Sequence, residues 1–285
     1  MVTRLPPVRR DGGHRTATLG VVNSPVLLST SSVFPEPTAA AFEVAAKLGY
    51  DGVEVMVWTD PVSQDVGALR GLATHYRMPV RSVHAPCLLV TQRVWSPDPT
   101  VRLRRAVELA ETLGAGTVVV HPPFTWQRDY ARSFAGLLEL LAGQHPQVTL
   151  AVENMYPVRM AGRELVPYTP SWNPTVAGYG AYTLDLSHCA AARTDALALA
   201  DTMGDQLSHV HLGDGTSRGR DEHLVPGRGD QPCAALLGSL PGRGFGGSIA
   251  VEVSTRGSAS RADREADLAE ALAFARTHLA AAPVP

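Results

Sequence analysis

The stretch LSHVHLGDGTSRGRDEHLVPGRGD, residues 207–230, shows how the chain is built. Its first six residues carry apolar side chains at Leu207, Val210 and Leu212, which indicates a β-strand that carries His211 near its end. We expect His209 to point away from His211 and to be structural. Asp221 and His223 follow in a glycine-rich loop, so carboxylate and imidazole groups gather where the strand ends, as they do at metal sites.

The same strand-then-helix pattern recurs along the chain. Alternation of helices with Val-rich strands predicts a parallel sheet whose two faces are both covered. The clearest helix is 96–114, with Asp98 as its N-cap and Gly114 as its stop. We count eight units, which predicts an α/β protein of the single (β/α)8 TIM-barrel type over residues 18–282. The other strands are predicted within 18–30 (TLGVV or VLLST) and at 51–57, 80–85, 116–121, 148–154, 181–188 and 247–253.

Composition excludes several classes of protein. The 285 residues carry a formal net charge of −2, so no bulk basic character indicates nucleic acid. Lys47 is the only lysine and lies in a predicted helix, which argues against lysine-based chemistry. Three widely separated cysteines fit a reducing cytosol, and no apolar run is long enough for a membrane span. Residues 1–17 lack the apolar core of a signal peptide, so we expect a flexible arm on a cytoplasmic protein.

Acids and histidines recur at one end of the predicted strands. In a parallel barrel the carboxyl ends of all strands meet at one mouth, where active sites lie. Buried carboxylates that face one another repel unless a cation lies between them. We therefore predict a divalent metal site at this mouth, with possible additional ligands in the loops. The strand-end residues are His84, His121, Glu153, Asp185, His211 and Glu252, and the loop residues are His188, Asp221 and His223.

Short motifs around these residues carry a family resemblance. Together they make the chain, over about residues 18–280, resemble the xylose isomerase-like barrel superfamily, which includes sugar isomerases, epimerases and endonuclease IV. The motifs are VHAP (83–86), VVVHPP (118–123), VEN (152–154), DLSH (185–188), HLGD (211–214), DEHLVPGRGD (221–230) and VEV (251–253).

In the epimerase branch, the resemblance implies one divalent ion, such as Mn²⁺, Mg²⁺, Co²⁺ or Zn²⁺, bound by four residues. The implied ligands are Glu153, Asp185, His211 and Glu252. The two glutamates would exchange a proton with a carbon of the substrate, while the ion stabilises an enediolate. The resemblance also assigns His188, and either Arg218 or Arg220, to substrate hydroxyl groups.

In the endonuclease IV branch, nine residues bind three zinc ions, and all nine have counterparts among the strand-end and loop residues above. Three segments depart from that branch. The first strand, taken as LGVVNS, lacks a Gly-x-His start, and Cys87 stands where that family has a tyrosine for DNA. The loop MVWTDPVSQD has no arginine to enter a duplex, and no basic stripe for a phosphate backbone is evident.

Two further features leave alternatives open. All four tryptophans follow predicted strands, and two of them, Trp58 and Trp126, are candidate substrate-binding residues. Such rings could stack on sugars or bases, or pack between loops. The turn PGRG (226–229) could bind an anion through its backbone or simply shape its loop.

The leading hypothesis is a metal-dependent isomerase or epimerase of a sugar or sugar phosphate, with Glu153 and Glu252 as catalytic residues. The alternative is an endonuclease IV-like zinc phosphodiesterase with up to three Zn²⁺, and only in that case is nucleic acid a partner. A third hypothesis is a metal-holding binding module without turnover. No segment marks a subunit interface, although related barrels often form homo-oligomers.

Overall fold

Eight parallel strands form a closed barrel in the computed structural model, which describes residues 24–160 and 163–280. The first strand pairs in parallel with both the second and the last, which closes the ring. This architecture confirms the predicted (β/α)8 TIM barrel. The barrel strands are β1 (Val26–Ser29), β2 (Gly52–Met56), β3 (Val80–His84), β4 (Thr117–Val120), β5 (Thr149–Glu153), β8 (Tyr182–Asp185), β9 (Leu207–Leu212) and β10 (Ser248–Val251).

Helices pack around the outside of the barrel. They are α1 (Thr38–Leu48), α2 (Val66–Tyr76), α3 (Pro99–Leu113), α4 (Arg128–Gln144), α5 (Leu186–Ala192), α6 (Ala196–Met203), α7 (Cys233–Ser239) and α8 (Arg261–Ala280). The Asp98 carboxylate accepts a hydrogen bond from Thr100 N (2.8 Å), and Gly114 ends α3 in a left-handed conformation, as predicted. Within the described ranges, none of the helices combines the length and apolar character needed to cross a bilayer.

The first barrel strand lies in VLLST, whereas the other candidate run, TLGVV, falls outside the described residues. Ser29, the last residue of this strand, and Ser31 stand near the mouth. The predicted arm (1–17) also lies outside the described residues. Its flexibility and the boundary at 18–282 remain predictions.

The strand predicted within 181–188 ends at Asp185, as predicted, and the next helix begins directly after Asp185. Its carboxylate accepts a hydrogen bond from the backbone N–H of His188 (2.7 Å), which caps α5. The helix predicted over 192–204 is α6, which begins at Ala196 and ends at Met203. Helix α5 precedes it and ends before Arg193, where φ is 57°.

The long loop after β5, predicted over 155–178, contains secondary structure of its own. Strands β6 (Val158–Met160) and β7 (Arg163–Leu165) pair as an antiparallel hairpin. The Arg159 guanidinium donates to the carbonyl oxygen of Ala191 at the end of α5 (2.6 Å). The hairpin is thereby held beside the helix that carries His188.

The barrel interior contains a layer of buried polar side chains below the mouth. His209 and His211 lie two positions apart on β9, and residues two apart in a strand share a face. Both imidazoles point inward and approach Glu54 of β2. The expectation that His209 points away from His211 is therefore wrong.

The loop that follows β3 is held by one buried arginine. Arg102 of α3 is 3% exposed, and its Nη1 donates to the carbonyl oxygens of Gln92 (2.7 Å), Ser96 (2.9 Å) and Pro97 (3.0 Å). Its Nε donates to Pro86 O (3.2 Å). A rigid guanidinium can serve several carbonyl groups at once, whereas most other side chains cannot.

We expect Arg102→Met to lower the free energy of unfolding by about 2 to 4 kcal/mol, because it leaves four carbonyl groups of a buried or partly buried loop without their donor. Urea denaturation measures this change. Arg105→Met, at an exposed position of the same helix, is the matched control and should change stability by less than about 0.5 kcal/mol. Equal effects of the two substitutions would contradict the structural role of Arg102.

Candidate active site

The predicted strand-end residues meet at the carboxyl ends of the barrel strands. Glu153 is the last residue of β5 and is 1% exposed, and it occupies the centre of the cluster. Its Oε2 lies 2.9 Å from His121 Nε2 and 3.3 Å from His84 Nε2. Its Oε1 lies 3.0 Å from His211 Nδ1 and 3.3 Å from His188 Nδ1. One carboxylate thus contacts four imidazoles.

His211 joins this carboxylate to the remaining strand-end acids. Its Nδ1 lies 2.9 Å from Glu252 Oε2 and 3.5 Å from Asp185 Oδ2, as well as 3.0 Å from Glu153. Ser31 Oγ donates to the other oxygen of Glu252 (3.0 Å). The three carboxylates implied as ligands of a single divalent ion therefore surround the Nδ1 atom of the fourth implied ligand, His211.

The three predicted loop residues form a third part of the cluster. His188 Nε2 lies 3.5 Å from Asp221 Oδ2, and His223 Nε2 lies 3.1 Å from the same carboxylate. Ser187 Oγ donates to Asp221 Oδ1 (2.7 Å) and fixes its position. The structure thus brings all nine candidate ligands into one continuous site.

Backbone carbonyl groups orient three of the imidazoles. His84 Nδ1 bonds to Ala85 O (3.0 Å), His188 Nδ1 to Asn154 O (2.8 Å) and His223 Nδ1 to the carbonyl of Glu252 (2.9 Å). A carbonyl only accepts, so in each ring Nδ1 carries the proton and Nε2 presents a lone pair in the neutral form. Nε2 of each ring faces the cluster, which is the arrangement expected of metal-ligating histidines.

This arrangement fits a bound cation. In neutral rings the lone pair of His84 Nε2 would face Glu153 Oε2 at 3.3 Å. His121 Nε2 lies 3.2 Å from the same nitrogen, His84 Nε2. Glu153 Oε2 and Asp185 Oδ2 are buried without a hydrogen-bond partner of good geometry. Such atoms repel one another unless positive charge lies between them. Three triads that include these residues each have ligand atoms within 4.8 Å of one another: His84–His121–Glu153, Glu153–Asp185–His211 and Asp185–His188–His223.

The electrostatics favour positive charge at the same place. Burial raises the pKa of the Glu153 carboxyl, but the fields of His211 and His121 outweigh burial and hold that pKa well below its usual range. Burial acts on Glu252 in the same direction, yet His211 lowers its pKa to about 2. Burial lowers the pKa of His211 itself, but Glu54 and Glu252 raise it well above normal. Both glutamates are therefore ionised at neutral pH.

A cleft of about 610 Å³ opens from the mouth, and Glu252 forms part of its lining. Phe34, Trp58 and Leu88 supply apolar surface. Arg256 also lines the cleft, with its guanidinium carbon 4.4 Å from the centre of the Phe34 ring. A cleft of this size is typical of small-molecule sites.

Only two of the predicted substrate-binding residues lie at the cleft or in the ligand cluster. Trp58 lines the cleft and His188 lies in the cluster, whereas Trp126 is 54% exposed and stacks on Phe124. Arg218 and Arg220 are exposed and are absent from the cleft lining formed by the described residues. Their assignment to substrate hydroxyl groups gains no support from this geometry.

Sequence reasoning missed Glu54 and Arg256. Glu54 is a fully buried acid inside β2, and its presence in the otherwise apolar run DGVEVMV was the available signal. Arg256 follows the last strand in a loop without periodicity, so no pattern indicated its direction.

The backbone N–H groups of the PGRG turn already bind a side chain of the protein, namely that of Asp214. The buried carboxylate of Asp214 accepts hydrogen bonds from the backbone N–H groups of Gly215 (2.8 Å), Gly227 (2.8 Å), Gly229 (3.0 Å) and Gln231 (3.0 Å). A Cβ atom at Gly229 would lie 2.3 Å from this carboxylate, so only glycine fits. Of the two alternatives for the turn, loop shaping is the one that the structure favours.

Fold and site together define a (β/α)8 barrel with a candidate metal centre of histidines and carboxylates at its mouth. A family model described as xylose isomerase-like TIM barrel matches residues 42–278, and the chain belongs to this family. The family resemblance drawn from the sequence motifs is therefore confirmed.

Relatives with known sequences extend this placement. An uncharacterized protein of Mycobacterium tuberculosis (strain ATCC 25618 / H37Rv) is 50% identical over 271 residues, which covers 88% of this chain and 96% of the relative. Fructoselysine 3-epimerase of Shigella flexneri is 24% identical over 253 residues, which covers 77% of this chain and 86% of the relative.

Solved structures with the same fold include proteins of both functional branches. A D-tagatose 3-epimerase-like protein has a TM-score of 0.65 at 20% identity, covering 89% of this chain and 98% of its own. D-psicose 3-epimerase of Clostridium cellulolyticum H10, solved with D-tagatose, has a TM-score of 0.65 at 16% identity, with coverages of 90% and 99%. An AP endonuclease, family 2, of Brucella melitensis has a TM-score of 0.64 at 19% identity, with coverages of 86% and 96%. At these identities the likeness shows the fold.

Proposed function

We propose that this protein is a divalent-metal-dependent isomerase or epimerase that acts on a sugar or sugar phosphate. The main supporting observation is the placement of two ionised glutamates, Glu153 and Glu252, within 3.0 Å of the same nitrogen of His211. Glu153 ends β5 and Glu252 follows β10, and two barrel strands, β8 and β9, lie between β5 and β10. Two carboxylates held at one point, with Glu252 in the lining of a small cleft, suit proton removal at one carbon and proton return at the same or the next carbon.

In the proposed reaction, one glutamate removes the proton from a carbon beside a carbonyl group, and the other returns a proton. Return to the opposite face of the same carbon gives an epimer, and return to the neighbouring carbon gives an isomer. A divalent ion held by Glu153, Asp185, His211 and Glu252 would supply Lewis-acid stabilisation of negative charge on substrate oxygens. Burial of both glutamates limits the access of water to the exchanged proton.

The cleft also suits a sugar better than a nucleic acid. Trp58 and Phe34 offer flat apolar surfaces of the kind that stack on sugar rings. Five acids line the same cleft, and Arg256 is the only arginine or lysine that the described residues contribute to it. The acids are Glu36, Asp60, Asp221, Glu222 and Glu252. Duplex DNA would need the opposite charge balance. Sugar epimerases among the similar proteins agree with this proposal.

Deuterium exchange tests the proposal. Metal-loaded protein is incubated in D₂O with neutral and phosphorylated ketoses, and the products are analysed by NMR and mass spectrometry. We expect deuterium at a carbon beside the carbonyl group of at least one ketose, and we expect chelation to abolish the uptake. Absence of uptake across the panel, with metal still bound, would favour the binding-module hypothesis instead.

A zinc phosphodiesterase of the endonuclease IV type is the second candidate, because one observation favours it. The donors form three triads with ligand atoms within 4.8 Å of one another, and clustered zinc ions can hydrolyse phosphodiesters. Zinc-dependent cleavage of a duplex with one abasic site, but not of the intact duplex, would establish this activity.

A further inference from the structure

Glu54 lies below the candidate metal centre in the middle of β2, and its side chain is completely buried. Its Oε2 accepts hydrogen bonds from His209 Nε2 (2.8 Å) and Ser82 Oγ (2.8 Å). Its Oε1 lies 3.0 Å from His211 Nε2, although this contact lacks good hydrogen-bond geometry. No step of the proposed reaction uses Glu54.

His211 therefore has carboxylates on both sides of its ring. Nε2 faces Glu54, and Nδ1 faces Glu153 and Glu252. Binding of a metal ion requires the neutral imidazole, which carries one proton, so one nitrogen must then direct a lone pair toward the carboxylates. That arrangement is repulsive unless a cation lies between the lone pair and the carboxylates. Three carboxylates, from Glu153, Asp185 and Glu252, converge on the Nδ1 side, whereas Nε2 faces the carboxylate of Glu54. The Nδ1 side is therefore the better site for a cation.

We propose that Glu54 is a positioning residue that keeps the proton of His211 on Nε2, so that Nδ1 binds the metal ion at the mouth. The inference rests on the proposed function only in requiring that an ion binds there. His209 keeps Glu54 in place from the opposite side. Carboxylates that accept the second N–H of a ligand histidine fix its tautomer and raise its basicity.

The other imidazoles of the site have a different orientation from that of His211. His84, His188 and His223 donate Nδ1–H to backbone carbonyls and direct Nε2 at the cluster. His211 is turned the other way, and an anionic side chain takes the place of the carbonyl. We therefore expect His211 to be the strongest imidazole ligand of the four, because a carboxylate polarises the ring more than a carbonyl does.

A further metal ion among Glu54, His209 and His211 is less consistent with the contacts. Glu54 Oε2 already accepts two hydrogen bonds, and His209 Nδ1 bonds to Ser248 Oγ (3.1 Å) while its Nε2 bonds to Glu54. Only Glu54 Oε1 and His211 Nε2 remain as free ligand atoms. Two ligands are fewer than zinc sites in proteins use.

The first experiment uses the wild-type protein loaded with Zn²⁺ and labelled with ¹⁵N-histidine. Long-range ¹H–¹⁵N NMR reports which ring nitrogen carries the proton, and the His211→Asn variant assigns the His211 signals. We expect His211 to carry its proton on Nε2, whereas His84, His188 and His223 carry theirs on Nδ1. A proton on Nδ1 of His211 would overturn the proposal, whether or not any variant folds.

The second experiment measures affinity for Zn²⁺ and Co²⁺ by competition with a chromogenic chelator. Glu54→Gln preserves the size of the side chain and removes its charge. We expect this variant to bind metal about 10- to 100-fold more weakly, and we expect the visible spectrum of bound Co²⁺ to change. Thr183→Val is the control, since Thr183 Oγ1 is buried in the barrel without a hydrogen-bond partner. It should leave affinity unchanged.

The outcomes separate this inference from the proposed function. Tight binding by the wild type and equally tight binding by Glu54→Gln would overturn the positioning role and leave the isomerase proposal intact. A wild-type protein that binds neither ion would contradict both. Tight binding, the expected tautomer and weakened binding by Glu54→Gln would support the inference even if no sugar substrate exchanges deuterium.

Discussion

Replacing Glu153 by glutamine should abolish both metal retention and deuterium exchange, because this carboxylate contacts four imidazoles at the centre of the site. The substitution preserves side-chain size and removes one buried negative charge. General acid–base groups contribute about 10² to 10⁴ in rate, and loss of the metal adds to that, so exchange should fall by at least about 10³-fold. Elemental analysis and NMR-detected exchange measure the two effects.

Glu139→Gln is the matched control for this substitution, since Glu139 is exposed on α4. It makes the same chemical change far from the mouth, and it should retain metal and exchange. Glu153→Gln protein must also show a native circular dichroism spectrum for the comparison to count. Wild-type exchange by folded, metal-free Glu153→Gln protein would show that neither the carboxylate nor the ion takes part in the reaction.

The sequence predicted the part of the site that local patterns encode. Each strand is a short apolar run, and the residue that closes the run reaches the mouth once parallel strands are aligned. His84, Asp185 and His211 could therefore be placed before any coordinates, and the structure brings them together. The relevant information lies within a few residues of each strand end.

Glu54 illustrates what local patterns cannot encode. An acid within an apolar strand can face solvent, a helix or the barrel interior, and its partner His209 comes 155 residues later. Closure of the barrel decides the matter, because it brings β2 and β9 to the same interior layer. The expectation that His209 points away from His211 is wrong for a simpler reason. Side chains alternate between the two faces of a strand, so residues two positions apart share a face.

Loops were the least predictable part of the cleft. The family resemblance assigns Arg218 or Arg220 to the substrate because both follow the His211 strand, yet both are exposed, and Arg256 lines the cleft instead. Loop direction depends on distant contacts, such as the hydrogen bonds that the Asp214 carboxylate accepts from the N–H of Gly227 and from other backbone groups. Such contacts leave no periodic trace in the sequence.

Removal of the metal should stop deuterium exchange and destabilise the fold. A ligand that binds only the native state stabilises it by about 4 kcal/mol when its concentration is 1,000 times its dissociation constant. We therefore expect chelated protein to unfold at lower urea concentration and to recover when Mn²⁺, Co²⁺ or Zn²⁺ is restored. Unchanged stability and exchange after verified removal of all metal would refute metal dependence.

The number of tightly held ions separates the two candidate functions, and Asp221→Asn makes the test sharp. Asp221 contacts His188 and His223 but none of the four residues implied for a single ion. If the protein is an isomerase with one ion, dialysed wild type should hold about one ion per chain, and Asp221→Asn should hold the same number. If three zinc ions form a hydrolytic centre, wild type should hold three, and the variant should lose the one nearest His188 and His223. We expect the first result, because the acidic lining of the cleft opposes a polyanionic substrate, whereas one ion beside Glu153 and Glu252 is sufficient for proton exchange at carbon.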